Sequence, residues 1–327
     1  MYAIRPTRAI INLDNLRHNL SVVRSCISLG TKIMAMVKAN AYGHGIIEIS
    51  KELIKNGVNY LGVAYIEEAV FLRKNRITAP ILVTGAINAT QISDFLNHNV
   101  DITSASIEKS KQISEAASKM NKIARVHLKV DTGMERIGVH WYNAEKFIEE
   151  TIALPNIEIK GIFSHLASAD NDKEFTKEQI KRFDKIIDFM KSKNILPPLI
   201  HLANSAATVL YPESHYTMIR PGIALYGYLN KIQEKLKPVM TLKTKVSFFK
   251  VVPENTGIGY NHTYTTSQQT RVVTLPIGYG DGYSRSFSNK GEVIIRGQRY
   301  PVVGNVAMDQ IMVDIGPDGT AYNGDDV

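Results

Sequence analysis

A lysine, Lys38, stands directly after the apolar run Met34-Ala35-Met36-Val37 and just before the polar, glycine-containing loop Asn40-Ala41-Tyr42-Gly43-His44-Gly45. The run reads as a buried strand, and barrel enzymes carry catalytic residues at such strand ends. Apolar surroundings weaken an amine's hold on its proton. A free amine attacks a carbonyl and forms a Schiff base. Taken alone, a lysine in this place is more often a structural cation. No metal chemistry competes with the amine: there is no His-x-x-x-His pair and no cysteine cluster. His44, His127, His201 and His262 are too scattered in sequence to argue a metal site.

The elements that must position this lysine alternate along the chain. Ile4 to Asn12 looks extended, Asp14 can cap a helix, and Leu16, Leu20 and Val23 then recur at helical spacing. Strands are expected at 33–37, 61–64, 80–84, 100–103, 124–130, 159–165, 199–202 and 222–226. Helices are expected between most of them, at 46–55, 66–74, 107–119, 144–151 and 176–191. In the last of these, Ile180, Phe183, Ile187 and Met190 line one side. Short strands alternating with helices are the pattern of a closed parallel barrel. Near Pro238 the rhythm changes. Strands at 241–249, 271–275, 292–295, 301–303 and 311–313 follow with glycine, proline and asparagine turns and no long helix between them. The fold class is therefore α/β: an N-terminal (β/α)8 TIM-like barrel over 8–234, then a mostly-β C-terminal domain over 235–327. Asp325-Asp326-Val327 reads as a strand cut short.

Composition limits the alternatives. The 327 residues suffice for two domains with a sizeable core, and 44% hydrophobic with 21% charged is ordinary for a globular protein. No stretch approaches the roughly 20 apolar residues that cross a bilayer. Met1 to Asn12 carries no signal-peptide pattern, so a cytoplasmic location is expected and a membrane partner is not. The single cysteine, Cys26, excludes an intrachain disulfide and reads as an inert, partly buried thiol. The net charge of +8 raises anionic partners. Its lysines are dispersed, however, and no basic tail or DNA-reading motif is present, so nucleic acid is not expected.

The segment Met34 to Gly45 resembles the cofactor-lysine signature of bacterial alanine racemases, which use pyridoxal 5'-phosphate. The resemblance continues through His127-Leu128-Lys129-Val130-Asp131-Thr132-Gly133-Met134-Glu135-Arg136-Ile137-Gly138 and Ile219-Arg220-Pro221-Gly222-Ile223-Ala224-Leu225-Tyr226-Gly227. It reaches Leu275 to Gly282 and Gly304 to Gln310, and so covers in effect the whole chain. It implies the same barrel. It also implies that the N-terminal strand, Met1 to about Thr7, joins the second domain.

The resemblance implies a role for each matching residue. Lys38 would hold the cofactor aldehyde and serve as base on one face of the substrate, and Tyr42 would contact the phosphate. Ser205, with the backbone of Gly222 and Ile223, would hold the phosphate as well, with Asn204 close by. Arg220 would donate to the pyridine nitrogen, and His165 would lie near the ring in a polar chain with Arg220. Arginine stays protonated, so that nitrogen would stay unprotonated and the cofactor would be a weaker electron sink. Tyr260 would be the second base, supplied by the partner subunit, with Tyr264 as its register competitor. Its neighbours Gly259, Asn261 and His262 depart from the commoner relatives. Arg136, the main chain of Met308 and the entrance tyrosine Tyr279 would face the substrate. Ala307 stands where many relatives have a cysteine. Lys129 matches a lysine that several relatives carbamylate; the plain alternative is pairing with Asp131 or another acid.

The implied activity is interconversion of L- and D-alanine for peptidoglycan supply by two-base proton exchange in a head-to-tail homodimer with shared active sites. Two alternatives stand beside it. One is a serine or broad-specificity racemase of the vancomycin-resistance type, separated by one substrate hydroxyl. The other is a non-catalytic pyridoxal-phosphate homeostasis protein, which has a similar barrel but stops after it. A fold-related decarboxylase fits less well, because the motifs around Lys38 and Arg136 follow the racemases.

Overall fold

Residues 5–327 are described by the computed structural model. The first helix, Leu13–Ser25, starts at Asn12, whose side chain accepts the N–H of Asn15 at 3.1 Å. Asp14, expected as the cap, sits in the first turn instead, where a carboxylate favours the positive end of the helix. Leu16, Leu20 and Val23 are the buried stripe of this helix.

Eight parallel strands follow: Lys32–Met36, Tyr60–Val63, Ile81–Val83, Ile102–Ser104, Ala124–Asp131, Ile157–Phe163, Leu199–His201 and Met218–Ile219. Each pairs with the next through registers such as Met34↔Tyr60, Leu61↔Ile81, Ile102↔Val126 and Gly161↔Leu199. A parallel bridge, Leu82↔Asp101, joins the third to the fourth. Thr217 N–H donates to the Ile200 carbonyl at 3.1 Å, and Met218 pairs with Lys32, so the ring closes. Strands buried on both faces read as near-continuous apolar runs, as Ile33 to Val37 does.

Seven of the eight expected strands fall within a few residues of their places. The eighth does not. The segment 222–226 is a 3-10 turn, Ile223–Tyr226, and the strand is Met218–Ile219 just before it. The amides of Gly222 and Ala224 turn onto the hydroxyl of Ser205 and not onto a neighbouring strand.

The second unit is antiparallel. Its five-stranded sheet runs in the order Phe248–Val252, Thr270–Leu275, Ile311–Gly316, Gln298–Val303, Glu292–Ile295. Val273, Leu275, Ile295, Val302, Ile311 and Val313 form its core. The single strand expected at 241–249 is two, Met240–Lys243 and Phe248–Val252. Between them Thr244 and Val246 bond to Val327 and Asp325, so the chain changes partner and the ladder breaks.

Contacts divide the chain into Asn12–Val239 and a unit made of the N-terminal residues to Ile11 with Met240–Val327. The boundaries read from sequence, 7/8 and 234/235, therefore move to 11/12 and 239/240. The reason is the N-terminal strand, Arg8–Ile11, which pairs antiparallel with Met240–Lys243. Met1 to Ile4 of the segment expected there lie outside the described residues. Among the described residues no helix is long and apolar enough to cross a membrane.

Candidate active site

Lys38 follows the first barrel strand, as expected, but the backbone after it is unusual. Ala39, Asn40, Ala41 and Tyr42 have φ of 52°, 53°, 54° and 55°, a full left-handed turn without a glycine. Such a conformation costs roughly 1–2 kcal/mol per residue, so neighbours must hold it. The Ala39 N–H donates to Glu68 Oε1 at 2.5 Å, and Asn40 Oδ1 accepts from Ile46 N–H at 2.9 Å. The Tyr42 ring rests against Tyr226, with centroids 4.6 Å apart. Tyr226 is in turn fixed by its hydroxyl bond to the Met36 carbonyl at 2.9 Å. Strain of this kind concentrates where a site needs an exact backbone direction. Burial, then the charge of Arg136, holds the Lys38 amine below the usual lysine range, opposed by Glu68.

Facing this turn is a small polar cradle. Ser205 opens the short helix Ser205–Leu210, which Asn204 caps by accepting Ala207 N–H at 3.0 Å. Ser205 Oγ accepts the amides of Gly222 at 2.8 Å and Ala224 at 3.3 Å. A Cβ on Gly222 would lie 2.5 Å from the Tyr42 hydroxyl, so only glycine leaves Tyr42 in place.

The floor is cationic. Arg220 is buried, and its terminal nitrogens are fully engaged. One donates to His201 Nδ1 at 3.0 Å and the His201 carbonyl at 2.6 Å. The other donates to the carbonyls of Ser164 at 2.6 Å and Leu202 at 3.1 Å, and to His165 Nδ1 at 3.3 Å. A guanidinium only donates, so His165 keeps its hydrogen on Nε2. Burial first, then Arg220, pushes the imidazole well below its ordinary pKa. Lys129 is buried with its amine 3.2 Å from the Val130 carbonyl and 4.9 Å over the Phe163 ring. Burial and the charge of Arg220 push it down to about 7. The pairing with Asp131 considered from sequence is not formed: that carboxylate accepts the amides of Gly133, Met134 and Arg136. It shapes the loop that carries Arg136 and leaves Lys129 without an ion pair among the described residues.

These groups surround one pocket of about 290 Å³. Lys38, Tyr42, Lys129, Arg136, His165, Asn204, Ser205, Arg220, Gly222 and Ile223 all line it. Thr84, Phe163, Asp170 and Leu229 line it too, and sequence reasoning did not name them. Thr84 and Phe163 each stand at the C-terminal end of a barrel strand, which is the signal that could have found them. The remaining candidates lie on the β-rich unit. Tyr260 is 72% and Met308 62% exposed, and Tyr279 is also exposed. The backbones of 279–280 and 307–308 are bonded together, Tyr279 N–H to Ala307 and Gly280 N–H to Met308 at 2.8 Å. The Tyr260 carbonyl accepts from Asn305 Nδ2 at 2.9 Å. The three residues therefore sit on adjoining loops. Tyr264, the competing tyrosine, is committed to Asp314 at 2.8 Å.

A closed barrel with an amine of weakened basicity at a strand end, a hydroxyl-and-amide cradle opposite, and buried cations between them defines an enzyme that works through a lysine on an anionic ligand. Residues 11–230 match the family described as alanine racemase, N-terminal domain, and residues 239–327 match alanine racemase, C-terminal domain. The chain belongs to the alanine racemase family. It is 43% identical to alanine racemase 2 of Caldanaerobacter subterraneus subsp. tengcongensis, over 95% of this chain and 82% of that protein. Among solved structures it is similar to the alanine racemase of Clostridium difficile 630, with a TM-score of 0.93 and 37% identity over 99% of this chain and 87% of the other. It is also similar to the alanine racemase of Bartonella henselae with covalently bound pyridoxal phosphate. There the TM-score is 0.89 and the identity 28%, over 99% and 90% of the two chains.

Proposed function

We propose that this chain is a pyridoxal 5'-phosphate-dependent alanine racemase that exchanges the α-proton of alanine between two bases, Lys38 and Tyr260 of the partner subunit. The observation that carries the reading is the arrangement of one pocket, where Lys38, the Ser205–Gly222–Tyr42 cradle and Arg220 face a common space. The donor set fits the cofactor. Lys38 would hold its aldehyde carbon. Ser205, Tyr42 and the amides at Gly222 and Ile223 would hold its phosphate, in the gap that a side chain at residue 222 would fill. Arg220 would offer Nε to the ring nitrogen, since its terminal nitrogens are occupied elsewhere. When bound, the cofactor draws electrons from the substrate α-carbon and acidifies its hydrogen.

The chain's own residues do the rest. Burial and Arg136 keep the Lys38 amine less basic than an ordinary lysine, which suits a group that must both take and return a proton. A single base would have to cross the plane of the bound substrate. A second base on the opposite face removes that need, and the exposed Tyr260 suits donation to a neighbouring subunit in a head-to-tail homodimer. Arg136 and the main chain of Met308 would hold the substrate carboxylate, with Tyr279 at the entrance. Lys129, whose amine is pushed down to about 7, suits addition of carbon dioxide, which releases one proton and leaves a carbamate to pair with Arg136. The product D-alanine fits supply of cell-wall precursors.

Borohydride reduction of the cofactor-loaded protein should fix one pyridoxyl group on the peptide carrying Lys38. Incubation with L-alanine should yield D-alanine on chiral chromatography, with L-serine turned over much more slowly. Serine conversion at a comparable rate moves the assignment to a broad-specificity racemase, and label on another lysine contradicts the role of Lys38.

A further inference from the structure

Behind Arg220 a chain of buried side chains leads away from the pocket. Its guanidinium donates to His201 Nδ1 at 3.0 Å, and His201 Nε2 lies 3.0 Å from His127 Nδ1. His127 Nε2 faces Asp101 Oδ2 at 3.4 Å, a long contact, and has no shorter hydrogen bond among the described residues. The Asp101 carboxylate also accepts from Arg125 Nε at 2.5 Å and from the Tyr60 hydroxyl at 2.8 Å. Arg220, His201, His127 and Asp101 are all buried, and they come from four different strands or strand ends of the barrel.

The hydrogen positions follow from one fact: a guanidinium has donors and no acceptor. His201 Nδ1 must present its lone pair, which puts the ring hydrogen on Nε2. That hydrogen points at His127 Nδ1, which must then be a lone pair, so His127 carries its hydrogen on Nε2, toward Asp101. Every donor points away from the arginine and toward the carboxylate. Bonds aligned in one direction polarise each other, and a cation at the head with an anion at the foot favours that direction. Packing holds the ring planes. Phe163 stacks on His201 at 4.8 Å, and the two imidazoles meet edge to face at 5.2 Å. Gly161 leaves room for the His127 ring, since a Cβ there would lie 2.5 Å from Nδ1.

We propose that Asp101, His127 and His201 are positioning residues for Arg220. They form a one-way hydrogen-bond chain that draws its terminal nitrogens into the barrel and leaves Nε as the donor for the pocket. The proposal builds on the racemase reading of that pocket, but its central observable does not depend on turnover.

The test is two-bond proton–nitrogen correlation of the cofactor-loaded enzyme labelled with nitrogen-15 histidine. Both rings are expected as the Nε2–H form, with Nδ1 unprotonated. A hydrogen on Nδ1 of either ring, or a doubly protonated ring, overturns the proposal. In His127→Phe, the His201 nitrogens should shift from their wild-type positions. In Tyr60→Phe, which removes a bond to the same carboxylate but leaves the chain intact, they should stay in place. Unmoved His201 signals in the first variant, or an equal shift in the second, also overturn it. For His127→Phe, kcat should fall roughly 10- to 100-fold, the range for lost outer-sphere support, while KM for alanine stays within about twofold. If that variant does not fold, the wild-type hydrogen positions alone decide. An enzyme without alanine turnover but with both Nε2–H rings would sink the racemase reading and leave the chain standing.

Discussion

Tyr42 and Gly222 meet so closely that a Cβ on the glycine would lie 2.5 Å from the tyrosine hydroxyl. Tyr42 cannot easily retreat, because its backbone is in the left-handed turn and its ring rests on Tyr226. Gly222→Ala should therefore displace the hydroxyl from the proposed phosphate cradle. Overpacking costs about 1–3 kcal/mol, so the Kd for pyridoxal 5'-phosphate should rise roughly 5- to 150-fold. Fluorescence titration of the cofactor-free protein measures it. Adding Tyr42→Phe removes the overlapping oxygen and should make the glycine change less costly than in the Tyr42 background. An equal cost in both backgrounds contradicts the contact.

The left-handed turn makes its own prediction. Ala39 is exposed and has φ of 52°. Glycine adopts that region without steric cost. Ala39→Gly should raise stability by about 1 kcal/mol in urea unfolding, whereas glycine at an ordinary helical position destabilises. Ala39→Val should lower stability and cofactor affinity together, since β-branching makes the region worse. A destabilised glycine variant would mean that the turn is not strained.

Lys129 predicts a pH dependence. Its folded pKa is pushed down to about 7, while an unfolded lysine keeps its proton to about 10.4. Between those values the unfolded state binds more protons, so this residue makes stability rise with pH across the window. Below pH 7 both states are protonated and the burial cost stands in full. Lys129→Met should therefore stabilise the carbamate-free protein by roughly 5 kcal/mol at most below pH 7, with the gain shrinking toward pH 10. Urea unfolding at pH 6 and pH 9 in buffer free of carbon dioxide tests this. The same gain at both pH values contradicts it.

Much of the pocket was legible because its residues sit in contiguous segments at strand ends: Lys38 with Tyr42, Lys129 with Arg136, and Arg220 with Gly222. What escaped depends on contacts distant in sequence. The segment 222–226 is apolar enough to read as a strand, but the hydroxyl of Ser205, 17 residues earlier, captures its amides. Ala39 and Ala41 look like good right-handed helix formers, and nothing local announces a positive φ; Glu68, 29 residues on, holds the turn. The chain behind Arg220 did leave a trace. In the strand Ala124–Asp131, Arg125, His127, Lys129 and Asp131 alternate with Ala124, Val126, Leu128 and Val130. A polar residue at every second place in a buried strand marks a polar barrel interior.

The central claim is that each active site takes Lys38 from one subunit and Tyr260 from its partner. The most direct measurement mixes Lys38→Ala and Tyr260→Phe chains by co-expression and follows alanine racemisation by chiral chromatography. Each variant alone should be nearly inactive. In a mixed dimer one of the two sites regains both bases, and about half of randomly paired dimers are mixed, so activity should recover to about a quarter of wild type. A mixture as inactive as its parents, from chains shown to form mixed, cofactor-loaded dimers, would contradict the shared site. Full activity of Tyr260→Phe alone would contradict the two-base account.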